Sequence, residues 1–168
     1  MTRRRTFWTA YAVGFIVASI IALFAFYMLH QTVPQQVNWQ ALQLTSLQGE
    51  PTAIDQYKGK VVVLNIWATW CKPCIEEMPS MDRLQKLYPD KIAVVTISDE
   101  DVGKLLKFKS SEPYTFTYLK ANTPLANQQI TVYPTTYILN PEGEIKEIYL
   151  GNQSWDSDRM QKKLLKYF

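Results

Sequence analysis

Residues 7–29 read FWTAYAVGFIVASIIALFAFYML, twenty-three in a row without a charge. As a helix, that run measures about 34 Å, enough to cross a hydrocarbon core of roughly 30 Å with some tilt. Its aromatic residues cluster near the two ends, Phe7, Trp8 and Tyr11 at one and Phe24, Phe26 and Tyr27 at the other, as interfacial belts do. Arg3, Arg4 and Arg5 precede it directly, so the positive-inside rule keeps the N-terminus cytoplasmic. A cleaved signal peptide carries a shorter apolar core, of about 7–15 residues, and a small-x-small cleavage site. His30-Gln31-Thr32-Val33-Pro34 offers no such site. The Arg4-Arg5-Thr6-Phe7 run has the pattern of a twin-arginine export signal, but a basic flank accounts for it and the apolar stretch is long for such a signal. The expectation is one uncleaved transmembrane helix over residues 7–29, with residues 1–6 as a cytoplasmic tail and everything after Leu29 extracytoplasmic. That places the chain in a cytoplasmic (inner) membrane as a single-pass protein, its domain periplasmic if the cell is Gram-negative.

A chain of 168 residues then has room for one more domain of ordinary size. Residues 30–38 are polar, contain Pro34, and read as a short tether. The net charge of +3 rests on the arginine triplet, since without it 15 basic residues face 15 acidic ones. A neutral domain of this kind is no nucleic-acid binder. One histidine and two cysteines make neither a disulfide-rich scaffold nor a zinc or copper site of usual composition.

From Trp39 onward, strand-like and helix-like segments alternate. Residues 61–66 (VVVLNI) and 92–97 (IAVVTI) are buried-strand runs. Residues 72–87 are helical, with Met78, Met81, Leu84 and Leu87 on one apolar stripe. Ser98-Asp99-Glu100-Asp101 supplies capping side chains for a helix through Phe108. Residues 114–119 alternate as a half-buried strand. Residues 135–139 and 144–150 flank Asn140-Pro141-Glu142-Gly143, a hairpin turn signal, and 155–167 form a terminal amphipathic helix. The pattern predicts one α/β sandwich over residues 39–168, with helices on both faces of a sheet.

Between the first buried strand and the long helix stands Trp67-Ala68-Thr69-Trp70-Cys71-Lys72-Pro73-Cys74. A cysteine at a helix N-terminus meets unpaired N–H groups and the positive dipole end, which favour thiolate. Cys71 is so placed, and Lys72 adds a positive charge. Cys74 returns to the same face within disulfide reach, and Pro73 is tolerated in the first turn. The expected arrangement is an exposed nucleophile, Cys71, beside a more buried resolving thiol, Cys74. A plain structural disulfide would enclose only two residues and constrain the unfolded chain little. A metal site would need ligands that no second cysteine pair or nearby histidine supplies.

Two blocks, 67–74 with Glu77 and Pro79, and Tyr133-Pro-Thr-Thr-Tyr-Ile-Leu-Asn-Pro-Glu-Gly143, resemble the thioredoxin superfamily and specifically its membrane-anchored TlpA/ResA-like thiol–disulfide oxidoreductases. The resemblance covers about residues 40–168. It implies a thioredoxin-like sandwich with a central mixed sheet, and a cis Pro134 packed on the active-site disulfide, with the Tyr133 backbone positioned to pair with substrate peptide. It implies that Pro79 kinks the active-site helix, that Trp67 packs in the core and that Trp70 borders the reactive thiol. Where thioredoxins proper carry a buried aspartate, this chain has Asn65. Glu77, at i+3 from Cys74, is the implied substitute that holds or takes the Cys74 proton, while Glu76 points elsewhere.

The site expected from this reading comprises Cys71, Cys74 and Glu77 for catalysis and Trp70, Tyr133 and Pro134 for substrate. It has no metal or bound cofactor. The partners implied are disulfide-containing proteins and a thiol electron donor, membrane-bound or soluble. The expected activity is reduction of extracytoplasmic disulfides. A dithiol oxidase and a thioredoxin-fold copper-binding assembly factor are the alternatives. The latter typically uses C-x-x-x-C with a distant histidine, which this chain lacks beyond residue 30. The glycine-rich specificity loop of dedicated cytochrome c maturation reductases is absent around residues 129–134.

Overall fold

The structure, a computed structural model, describes residues 2–30, 36–112 and 114–167. It divides into two units, Met1–Pro34 and Gln35–Phe168. The expected tether falls largely on residues 31–35, outside the described residues.

The first unit is one helix, α1, Thr2–His30. Its described apolar side chains, among them Trp8, Phe15, Ile20, Leu23 and Phe26, are exposed. Among the described residues no helix is long and apolar enough to cross a membrane. The anchor expected over residues 7–29 therefore stands as a proposal.

The second unit contains β1 (Leu44–Ser46), β2 (Val61–Ile66), α2 (Lys72–Leu87), β3 (Ile92–Ser98), α3 (Val102–Ser111), β4 (Thr117–Ala121), β5 (Thr135–Leu139), β6 (Ile145–Leu150) and α4 (Asp158–Leu164). The strands form one sheet in the order β1-β4-β3-β2-β5-β6. Strands β2, β3 and β4 run parallel, with Val63 opposite Val94 and Thr96 opposite Tyr118. β5 joins β2 antiparallel, with Thr136 opposite Asn65, and β1 and β6 close the two edges antiparallel. Strand β2 is buried along its whole length, as its unbroken apolar run requires of a central strand.

The path β2→β3→β4 moves in one direction across the sheet. Right-handed crossovers therefore place α2 and α3 on the same face. Met78, Met81 and Leu84 of α2, Leu105 of α3, and Met160 and Leu164 of α4 share one core with Val61, Val63, Val94 and Ile138. Alternation puts Val62, Leu64, Ile66 and Ile97 on the opposite face, and these too are buried. Among the described residues that face carries no α-helix, where the sequence pattern predicts helices. Three 3-10 turns contribute the buried Leu42, Ile54 and Leu125, and Trp39 rests edge-on against Tyr137, ring centres 5.3 Å apart.

Three further boundaries differ from expectation. Leu87 is 57% exposed, because Tyr88, the C-cap residue, packs on the core in its place. The strand expected from Tyr114 begins only at Thr117. The Thr115 N–H and hydroxyl both donate to Asp82 Oδ1, at 2.9 Å each, so this backbone is held by α2 instead of a strand. Trp155 and Asp156 lie ahead of the last helix, which is capped by Ser157 and continues into a 3-10 turn over Leu165–Tyr167. The β5–β6 hairpin follows the sequence: Gly143, at φ +88°, closes the turn and donates to the Asn140 carbonyl at 2.9 Å.

Candidate active site

The loop leaving β2 delivers Cys71 to the N-cap of α2. Its Sγ accepts from the Cys74 N–H at 3.3 Å. The two cysteines are joined in a disulfide, with Cα atoms 5.3 Å apart. The expectation of an exposed Cys71 is corrected, since the residue is 4% exposed and Cys74 0%. The reason lies in the backing: Trp67 and Ala68 behind it are buried, and its sulfur is turned toward the helix amide. What accessibility the pair has still lies on Cys71. Lys72 is exposed and its Nζ stands 3.8 Å from a Glu76 carboxylate oxygen, so part of its charge is answered away from the sulfur.

Trp70 is 68% exposed beside this buried pair. Its ring lies 5.5 Å from that of Tyr133, and the Tyr133–Pro134 bond is cis. Burial, reinforced by the negative charges of Asp99 and Glu100, pushes the Tyr133 phenol up to about 12. Trp67, buried as expected, packs against Phe108 and Tyr118. Pro79 lies inside α2.

The acidic run after β3 does more than cap. Only Asp101 caps α3, accepting from the Gly103 N–H at 2.8 Å. Asp99 accepts from the Leu125 N–H at 3.0 Å. Glu100 accepts from both the N–H and the hydroxyl of Thr69, at 2.6 and 2.9 Å. Glu100 thus holds the loop two residues ahead of Cys71 and Asp99 the turn at Leu125, a role sequence reasoning missed. The signal available was position: they follow the C-terminal end of β3, next to the end of β2 from which the cysteine loop leaves. Among the described residues no group of three or more His, Cys, Asp or Glu forms a cation site.

Glu77 and Cys74 are buried together on α2, Glu77 being 1% exposed. Its carboxylate accepts from Asn65 Nδ2 at 2.8 Å, from Trp155 Nε1 at 3.0 Å and from the Gln153 N–H at 3.2 Å. Asn65 Nδ2 also donates to Thr136 Oγ1 at 2.8 Å. Desolvation raises the Glu77 carboxyl from 4.5 to about 7, the three hydrogen bonds opposing it in part. Glu76, next in the chain, remains half exposed on the solvent side. Sequence spacing separates the two glutamates. Trp155, 78 residues away, is the partner that spacing could not reveal.

In the oxidised fold, Glu77 thus keeps its proton over a range in which the unfolded chain has lost it. Its contribution to stability is fully present below pH about 4.5 and is lost as pH rises through about 7, roughly 3 kcal/mol in all. Glu77→Gln, followed by urea unfolding of the oxidised protein from pH 4 to 8, should remove that fall from the stability profile. Parallel profiles in the two proteins would show that the carboxyl titrates normally.

Comparison with known proteins agrees with this geometry. Residues 36–148 match the model of the AhpC/TSA family. The thioredoxin-like protein YneN of Bacillus subtilis (strain 168) is 41% identical over 126 residues, 72% of this chain and 73% of that protein. The thiol-disulfide oxidoreductase ResA of Geobacillus kaustophilus is 32% identical over 115 residues, 66% of each chain. A solved thiol:disulfide interchange protein of the thioredoxin family from Chlorobium tepidum superposes with a TM-score of 0.59. It is 24% identical and covers 72% of this chain and 90% of its own; at that identity it speaks for the fold. The mixed sheet and the disulfide-linked cysteine pair agree with these matches: the chain belongs to the AhpC/TSA family, among its thioredoxin-like thiol–disulfide oxidoreductases.

Proposed function

We propose that this protein reduces disulfides of other proteins outside the cytoplasm while α1 holds it in the membrane. The observation that carries the reading is the pairing of an N-cap dithiol with a buried carboxyl whose ionisation falls near neutrality. Cys71 is the attacking thiolate, stabilised by the helix N-terminus. It displaces one sulfur of a substrate disulfide and leaves a mixed disulfide. Cys74 loses its proton to Glu77 and attacks the Cys71 sulfur, so the substrate departs as a thiol and the Cys71–Cys74 disulfide remains. Trp70, Tyr133 and Pro134 form the face that receives the substrate backbone and side chains. A thiol donor then returns the pair to its reduced form, so no bound cofactor is required.

The direction follows from charge. An oxidant gains its power by stabilising thiolate in the reduced form. Here the fixed positive group, Lys72, faces Glu76 in solvent, and an ionised Glu77 behind Cys74 opposes a second negative charge. Pairing with Glu76 weakens the pull of Lys72 on a thiolate and the Glu77 charge opposes one, so the balance lies with the disulfide and a reducing pair. Equilibrating the full chain against glutathione should give a potential below about −220 mV, on the side of thioredoxin. A value near about −120 mV, that of a strong oxidant, would replace reduction by oxidation.

Membrane attachment rests on the uncharged run of residues 7–29 and on the exposure of apolar side chains along α1, which water does not tolerate on a free helix. The arginines before it set the N-terminus inside. The protein should stay in the membrane fraction through carbonate and high-salt washes, and release by either would remove the anchor.

A further inference from the structure

Glu77 is surrounded by donors. The Asn65 amide, the Trp155 indole and the Gln153 backbone N–H all point hydrogens at its two oxygens. That ring suits a carboxylate and has no acceptor for a carboxylic acid. One acceptor nevertheless stands in the same network. Asn65 Oδ1 is fully buried and has no hydrogen-bond partner. Asn65 itself is 0% exposed on the central strand β2, so water does not relieve that oxygen, and a buried unpaired carbonyl costs about 1–3 kcal/mol.

The unpaired oxygen and the acid that would lack an acceptor can be brought together, with Nδ2 then standing where Oδ1 now stands. While Glu77 is ionised, the amide nitrogen must face it, because the amide oxygen would meet Oε1 at 2.8 Å with no hydrogen between them. Once Glu77 carries a proton on that oxygen, the preference inverts: the acid O–H needs an acceptor, and a half-turn of the Asn65 carboxamide brings Oδ1 to it. Thr136 can follow, since its hydroxyl accepts from Nδ2 in the first state and can donate to Oδ1 in the second. We propose that Asn65 is a positioning residue whose carboxamide reverses when Glu77 takes up the Cys74 proton. This rests on the reading of Glu77 as the proton acceptor. The step balances: the proton leaves Cys74 Sγ for Glu77, and the sulfur lone pair attacks Cys71 Sγ. The bond to the substrate sulfur breaks with its electrons on the leaving group, which takes a proton from solvent.

The titratable groups around this network are few. On α2 there is Cys74, here in the disulfide with the N-cap Cys71, while Lys72 and Glu76 stand out in solvent. From β6, Tyr149 meets Trp155 edge-on at 5.4 Å, with Lys163 of α4 over its ring and Glu147 bonded to its hydroxyl. The Gln153–Trp155 segment brings the backbone and indole donors, and β2 and β5 bring only Asn65 and Thr136. The amide of Asn65 is therefore the element placed to track Glu77.

The test is nuclear magnetic resonance on the full chain in detergent micelles, in its oxidised and its reduced form, with ¹⁵N-labelled asparagine and ¹³C-labelled glutamate. The Asn65 carboxamide signal is assigned by its loss in Asn65→Ser. Between pH 5 and 9 that signal should shift with the same midpoint as the Glu77 carboxyl carbon. In Glu77→Gln it should become independent of pH, because the glutamine N–H₂ holds Asn65 Oδ1 permanently. If Glu77 titrates while the Asn65 signal stays fixed, the reversal is overturned and the acceptor role stands. If Glu77 does not titrate in either redox state, the acceptor role falls and the reversal falls with it. The wild-type titration decides the matter even if the glutamine variant fails to fold.

Discussion

One buried carboxylate ties the domain together. Glu77 receives hydrogen bonds from β2 through Asn65 and from the turn before α4 through Gln153 and Trp155. Removing a carboxylate from water costs several kcal/mol, and only well-aligned donors offset it. Helix α2, the sheet centre and the segment entering α4 must therefore all be in place before the charge is tolerable. The same group lies one helical turn from Cys74. In the proposed mechanism the group that orders the core behind the dithiol also takes a proton from it, and its stability cost at neutral pH is part of that arrangement.

A second layer of constraint faces the substrate side. Glu100 grips both donors of Thr69, two residues before Cys71, and Asp99 holds Leu125 ahead of the Tyr133–Pro134 segment. A strand end that releases two acidic side chains between two loops fixes both without any metal or extra disulfide. Trp70 and Tyr133 lie beside each other as neighbouring rings. The cysteines are buried in the oxidised protein, while the Trp70 indole beside them in the chain is exposed.

Local signals made part of this legible. Strands β2, β3 and β5 are rich in β-branched residues, and α2 begins where its capping cysteine and early proline prescribe. Glu77 separates from Glu76 by helical spacing alone. The features that escaped are those set by side chains far apart in sequence. Asp82 diverts the backbone at Thr115 and delays β4. Trp155 leaves the final helix to bond Glu77. Glu100 reaches back 31 residues to Thr69, where periodicity sees only a cap. The coverage of the second sheet face by 3-10 turns is equally non-local, because it follows from the direction in which the strands are crossed and not from any helix-forming pattern.

The account makes Cys71 the atom that meets substrate and Cys74 the one that releases it. The measurement that bears on this most directly is trapping in the living cell. Full-length protein with Cys74→Ser should accumulate as mixed disulfides with other proteins, dissociable by reductant, while Cys71→Ser should yield none. Equal trapping by both variants, or trapping by Cys71→Ser alone, would contradict the assignment of the attacking sulfur and with it the geometry on which the account is built.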